Sequence, residues 1–340
     1  MSAALATTLG SRTSRATIAE IGVSDVRPVG LPGFRPRDRL APMAGLTLDL
    51  DRPLDLRLTL RPLIRGPGDP TMRLDRTVAI RATRTAAGPA TVALEVVGRR
   101  LRAEAWGPGA DLALAALPAL VGLDDDPRAF RPRHRLVADL FGRLGGLRMG
   151  RTGAVMEALV PAILEQKVTG LEAFRAFRGL VVAYGERAPG AFGLRLLPAA
   201  ETLAGLPYHA FHPLGVERRR ADTIRWAAAR ATRLEEAPAL PLPDAYRRLR
   251  AMPGVGAWTA AEVAVRALGD PDAVSLGDYH LPNLVAWALA GEARADDGRM
   301  IELLEPYRGQ RARVIRLLEA SGIRAPRFGP RMAPRAIADI

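Results

Sequence analysis

Apolar and polar residues change rhythm once along this chain. Between Leu54 and Trp106, "LDLRLTLRPLI", "RTVAIRATRT" and "ATVALEVVGRRLRAEAW" alternate apolar with charged positions, the period-2 pattern of half-buried strands. The turn sequences "GPGDP" and "AAGPA" separate them. "DLALAALPALVG" then has helical spacing, and "DDDPRAFRPR" is a charged linker broken by proline. After His134 the apolar residues recur at helical spacing in "HRLVADLFGRLGG", "AVMEALVPAILEQKVTGLEAFRAFRGLVVAYG", "RRADTIRWAAARA", "PDAYRRLRAM", "AWTAAEVAVRALG", "LPNLVAWALAG" and "MIELLEPYRGQRARVIRLLEASG". Asp or Pro often opens these runs and Gly often closes them. The pattern predicts an α+β chain, with a mixed strand-rich domain over 46–130 and an all-helical domain over 131–322. Residues 1–45 read as a flexible or extended segment, and 323–340 as a basic, Pro-rich tail.

Composition narrows this picture. The 340 residues are long enough for two or three compact units, and 48% are hydrophobic. No apolar run approaches the ~18 residues of a membrane span, so a membrane partner is not expected. The formal net charge of +13 favours a polyanionic partner, nucleic acid first, through attraction to phosphate and release of counterions. On charge alone, ribosomal and membrane-surface partners fit as well. Positive charge is carried almost entirely by arginine; Lys167 is the sole lysine. The absence of cysteine excludes disulfides, thiolate zinc sites and iron–sulfur clusters. The opening "MSAALATTLGSRTSRATIAE" lacks an apolar h-region, so it reads as a mobile tail or an over-extended start rather than a secretory signal.

The most informative stretch is "LRAMPGVGAWTAAEV", Leu249 to Val263, in which "PGVG" joins two helical runs. Gly254 and Gly256 admit backbone angles closed to other residues and clear side chains from the turn. Backbone N–H groups are then free beside a helix start, where the helix dipole favours an anion. Such a turn is also common in ordinary helical hairpins. Downstream, "GDPDAVSLGDYHL" places Asp278 just before a helix expected to begin near Tyr279 or Leu281; alone, this is an N-cap position. Asp270 and Asp272 read as turn residues.

Together, Leu249–Val263 and Asp278 resemble the helix–hairpin–helix and catalytic aspartate of DNA glycosylases. "PGVGAWTA", "GDYHL" and "AILEQKVTG" resemble, more narrowly, the 3-methyladenine DNA glycosylase II family, the alkylation-repair branch, over about residues 130–320. The resemblance implies a monofunctional enzyme of base excision repair that flips alkylated purines of the 3-methyladenine and 7-methylguanine type out of duplex DNA. It implies Asp278 as the catalytic carboxylate and Trp258, twenty residues upstream, as a base-pocket aromatic, with Glu262 and Tyr279 beside it. Bifunctional relatives carry a nucleophilic lysine where this chain has Trp258, so water is the expected nucleophile. Glu262 departs from the aromatic common there; it either favours a cationic base or faces solvent. The resemblance further assigns DNA contact to Gly254, Val255, Gly256, Thr259, Gln166 and Lys167, with Lys167 at the wedge position that fills the gap behind a flipped base. The backbone carbonyls of Arg250, Met252 and Val255 would hold a monovalent cation, and no cofactor is required. A bacterial, cytoplasmic, nucleoid-associated monomer acting on damaged double-stranded DNA is the corresponding expectation.

Several features fit less specific roles. His280 is as consistent with a structural histidine as with support of Asp278. His209 and His212 have ligand-like spacing without further partners, and the arginines of "RRRADTIRWAAARA" and "YRGQRARVIRLL" read first as solvated helix faces. Two other functions compete with the first. One is a non-catalytic helix–hairpin–helix module that only recognises distorted duplex; the other is a related glycosylase for deaminated or oxidised bases.

Overall fold

The computed structural model describes residues 42–326. Most of the segments expected over 1–45 and 323–340 lie outside the described residues. Five strands, β1 (Ala44–Asp49), β2 (Met72–Leu74), β3 (Val78–Thr85), β4 (Gly88–Val97) and β5 (Arg100–Trp106), form one antiparallel sheet of order β1-β5-β4-β3-β2. The helices are α1 (Leu56–Leu60), α2 (Ala110–Ala115), α3 (Leu117–Leu120), α4 (Arg135–Arg143), α5 (Val155–Leu164), α6 (Gly170–Tyr184), α7 (Ala200–Gly205) and α8 (Tyr208–Phe211), followed by α9 (Arg218–Ala228), α10 (Ala231–Glu235), α11 (Leu242–Arg250), α12 (Ala257–Val263), α13 (Leu281–Ala290), α14 (Asp297–Leu304) and α15 (Arg311–Ser321).

The sheet is covered on both faces, where half-buried strands were expected. Ala79, Val92 and Leu94 meet α2 and α3 on one side. Ile80, Ala82, Ala93 and Trp106 meet Phe192, Leu194 and Leu196 on the other. Trp106 and Phe192 pack edge to face with centroids 4.7 Å apart, so the connection between α6 and α7 serves as a lid on the sheet. β1 begins two residues inside the segment expected to be extended. "LDLRLTLRPLI" is helix α1 rather than a strand: Asp55 caps it by accepting the Leu58 N–H at 2.9 Å. Its buried residues Leu56, Thr59 and Leu60 have helical spacing despite the alternation of letters.

The helices form two cores. α5, α6, α9, α11 and α12 enclose the first. α4, brought back against α13, α14 and α15, encloses the second. α12 serves both, with Ala260 and Val263 in the first and Ala261 in the second; a π-wound turn, Ala264–Leu268, continues it.

Arginines expected on solvated faces stitch these units together from inside. Arg313 and Arg316 on α15 are buried. Arg313 grips Asp125 with its two terminal guanidinium nitrogens, and Arg316 donates to the Leu58 carbonyl at 2.9 Å. Asp125, from the charged linker, also accepts from Arg52 at 3.1 Å and from the Met149 N–H at 3.0 Å. Burial pushes the Asp125 carboxyl up, but Arg313, the Met149 N–H and Arg52 outweigh it and hold its pKa below the ordinary value of 3.8. Asp125→Ala, which strands a buried guanidinium, is expected to lower the free energy of unfolding by about 3–5 kcal/mol near neutral pH. The carboxylate's contribution is present above pH 3.8 and is lost as pH falls through the depressed native value. Denaturant titrations of both proteins against pH should therefore converge in acid; a constant difference would contradict this assignment.

Candidate active site

The site begins with the turn between α11 and α12. Gly254 has φ +84°, and a Cβ there would lie 2.3 Å from Thr223 Oγ1, so both conformation and space require glycine. Gly256 is different. It is extended (φ −87°, ψ −171°), caps α12 without a side chain, and a Cβ would meet open space. The first intrahelical bond runs from the Ala260 N–H to the Gly256 carbonyl, so the N–H groups of the first turn of α12 point out of the helix. Val255 is buried in the core beneath the exposed Gly254 and Gly256.

Opposite the turn, α5 ends and the chain reverses into α6. Lys167 is exposed, with φ +56°, and is the non-glycine residue with positive φ among the described residues. Its neighbour Gln166 ties this bend to the hairpin, donating to the Gly254 carbonyl at 3.0 Å and to Thr259 Oγ1 at 2.9 Å. Thr259 is therefore a buried brace rather than an exposed contact. α9 supports both pieces from behind. Buried Arg220 donates to the Leu164 carbonyl at 2.7 Å, and Thr223, one turn on, packs under Gly254. Arg220 was expected on a solvated face; its role depends on a carbonyl 56 residues away, which no local signal announces.

Asp278 lies one bond from α12. Its Oδ2 accepts the Trp258 indole N–H at 3.0 Å, while Oδ1 accepts the His280 and Leu281 N–H groups at 2.8 Å each. It holds the turn leading into α13, whose N-cap residue is His280, and accepts the Trp258 indole at once. The loop around it is pinned along its length. Tyr246 Oη donates to Asp270 at 2.7 Å, and Arg311 holds Asp272. The Gly277 N–H donates to Asp297 at 2.7 Å. Asp270 and Asp272 are turn anchors, as their spacing suggested.

Glu262 does not face solvent. Ser275 Oγ donates to Oε1 and Arg266 to Oε2, placing both oxygens in a largely buried network with Arg65 nearby. Burial pushes its pKa up, but Arg266, Ser275 and Arg65 win and hold it below the ordinary value. Tyr279, by contrast, is 83% exposed beside Asp278 and leans edge-on against His280 at 4.9 Å. The structure thus gathers Trp258, Asp278 and Tyr279, and beside them Gly254, Thr259 and Gln166 with its neighbour Lys167, around the N-terminal turn of α12. Among the described residues no group of three His, Cys, Asp or Glu side chains is placed to hold a metal. His212 instead packs against Tyr208.

No protein-family model matches the chain. A Mycobacterium tuberculosis protein named "Probable bifunctional transcriptional activator/DNA repair enzyme AlkA" is 35% identical over 179 residues, which is 50% of this chain and 35% of that protein. The chain therefore spans about a third of the length of that relative. DNA-3-methyladenine glycosylase 2 of Escherichia coli is 29% identical over 209 residues, 59% of this chain and 70% of that one. Among solved structures, a 3-methyladenine DNA glycosylase from Archaeoglobus fulgidus superposes with a TM-score of 0.67 at 21% identity, over 80% of this chain and 97% of that one. An 8-oxoguanine glycosylase/lyase of Clostridium acetobutylicum, in complex with DNA, gives 0.60 at 13% identity, over 82% and 99%. These structural likenesses establish the fold, which enzymes for alkylated and for oxidised bases share. In sequence this chain is similar to proteins named for 3-methyladenine DNA repair, and its fold is that of solved DNA glycosylases.

Proposed function

We propose that the protein is a monofunctional DNA glycosylase that hydrolyses the N-glycosidic bond of alkylated purines, 3-methyladenine and 7-methylguanine types, in duplex DNA and leaves an abasic site. The observation that carries this reading is the hydrogen bond from Trp258 to Asp278. It fixes a carboxylate and an aromatic ring side by side at the mouth of a hairpin. Breaking the glycosidic bond builds positive charge on the sugar, which a fixed carboxylate stabilises. With Oδ1 filled by two backbone N–H groups, Oδ2 keeps lone-pair capacity to orient or deprotonate a water. An alkylated purine is itself cationic, and the faces of Trp258 and Tyr279 suit it by stacking and cation–π attraction. Glu262 has both oxygens engaged, by Arg266 and Ser275, so its carboxylate is not offered to the base directly.

The remaining residues would position the duplex. Gly254 and Gly256 let a phosphate approach the N–H groups of α12. Lys167, on its strained and exposed bend, would fill the space left by the flipped nucleotide, its long stem in the stack and its ammonium at a phosphate. The carbonyls of Arg250, Met252 and Val255 fit a hard monovalent cation as an all-oxygen set; Met252 O accepts the Val255 N–H at 3.0 Å and retains a second lone pair. No further cofactor is needed, and the protein would act as a monomer. The names of the mycobacterial and Escherichia coli relatives support DNA repair, and Trp258 at the lysine position of the lyases favours water over an amine nucleophile.

Two experiments test this reading. Asp278→Asn, which keeps shape and removes charge, is expected to abolish base release from methylated duplex while binding to an abasic-site duplex persists, and borohydride is expected to trap no protein–DNA adduct during wild-type turnover. Substantial release by the variant, or a trapped adduct, would overturn the mechanism. The hairpin glycines separate by role. Gly254→Ala should cost stability by about 1–3 kcal/mol, because it forces both a left-handed alanine and a clash with Thr223. Gly256→Val should leave the unfolding midpoint near that of the wild type and weaken binding to every duplex, damaged or not, since phosphate contacts carry no base information. Equal stability losses at the two positions would refute the distinction.

A further inference from the structure

We propose that a groove between the 64–74 loop and α6 is a second nucleic-acid backbone site, lined by none of the residues of the Asp278 pocket. The groove has a volume of about 630 Å³. Arg57, Arg61, Arg73, Arg178 and Arg195 line it, against the single carboxylate of Asp69. That carboxylate is already used: it accepts the Arg65 N–H at 2.7 Å, and the Thr71 N–H and hydroxyl at 2.8 and 2.7 Å. Arg195 is held by the Gly185 carbonyl at 2.7 Å. Arg57, Arg61 and Arg178 make no ion pair among the described residues, and all three are exposed. Like charges crowded in a groove repel one another and concentrate anions there.

The backbone is shaped to bring this about. Gly66 (φ +78°) and Gly68 (φ +73°) let the loop press onto α6: a Cβ at Gly66 would lie 2.5 Å from Phe174, and one at Gly68 would lie 2.9 Å from the Arg178 guanidinium. The planar fork of Arg178 is thus seated against a loop that side chains would push away. Guanidinium forks match phosphate oxygens two at a time. The groove is mechanically continuous with the lesion-side bend. α6 starts three residues after Lys167, behind a Thr169–Glu172 capping box, and buried Arg65 pairs with Glu165 at 3.3 Å. Arg178 stands eight residues into α6 from Gly170, about 12 Å at the helical rise. That distance matches roughly three to four base pairs of duplex at 3.4 Å each. The ligand is therefore phosphate backbone flanking the lesion, read without regard to sequence.

The inference rests on the DNA-glycosylase reading only for its partner, and undamaged duplex tests it without requiring base release. The wild type and an Arg57→Gln, Arg61→Gln, Arg178→Gln variant would be titrated with undamaged duplex of roughly 20 base pairs across a range of salt. Loss of three phosphate contacts should reduce the slope of log affinity against log salt by about 2 to 3. Single-turnover base release at saturating damaged duplex should be unchanged. Arg57→Gln alone, at an exposed position, should reduce the slope by about 0.9 and guards against misfolding of the triple variant. An unchanged slope in both variants would overturn the proposal. Loss of acidic-peptide binding with an unchanged DNA slope would also overturn it, since it would make the groove a protein-docking surface.

Discussion

The hydrogen bond between the Trp258 indole and the Asp278 carboxylate is the contact on which the rest of the site depends. It joins α12 to the loop leading into α13 and sets the ring and the charge in one fixed relation. Asp278 cannot turn to seek a better partner, because its other oxygen is occupied by the first N–H groups of α13. Trp258 is carried by α12, which supplies side chains to both helical cores. Neither half of the pair can shift without disturbing a packed interior, and under the proposed mechanism this rigidity is the preorganisation that stabilises a developing cation.

A second constraint links the hairpin to the bend that presents Lys167. Gln166 spans them directly, and α9 backs both through Arg220 and Thr223. A buried guanidinium on the Leu164 carbonyl satisfies the end of α5, where a helix otherwise leaves unpaired acceptors. The bend then starts from a fixed point, and a strained lysine conformation can persist there. The same logic recurs at Asp125, where Arg313 and Arg52 tie α15 to the sheet side of the chain. Part of the large positive charge is thus internal mortar rather than a surface for polyanions.

This explains what was legible in the sequence. The hairpin and the aspartate were readable because their signals are local: a glycine pair at a proline turn, of which only Gly254 is conformationally required, and an acid at a fixed remove before a helix. The α+β order was readable because the period of the apolar residues changes. "LDLRLTLRPLI" misled because Leu56, Thr59 and Leu60 satisfy a helical stripe within an alternating string, and one turn is too short for periodicity to decide. The buried arginines were invisible for another reason. An arginine on a helix face looks the same whether it meets water or a carbonyl from a distant part of the chain. Glu262 showed as a departure from the pattern of the family the sequence resembles, but its partner Ser275 lies thirteen residues on and only the fold joins them.

The central claim is that a carboxylate held by an aromatic ring serves a cationic, alkylated base. Its most direct test is the rate of base release by the wild-type protein from three matched duplexes, carrying methylated purines, hypoxanthine or 8-oxoguanine. Release of 3-methyladenine and 7-methylguanine well ahead of both neutral bases is the expected result. Preference for 8-oxoguanine or hypoxanthine, or no release from any of the three, would contradict it.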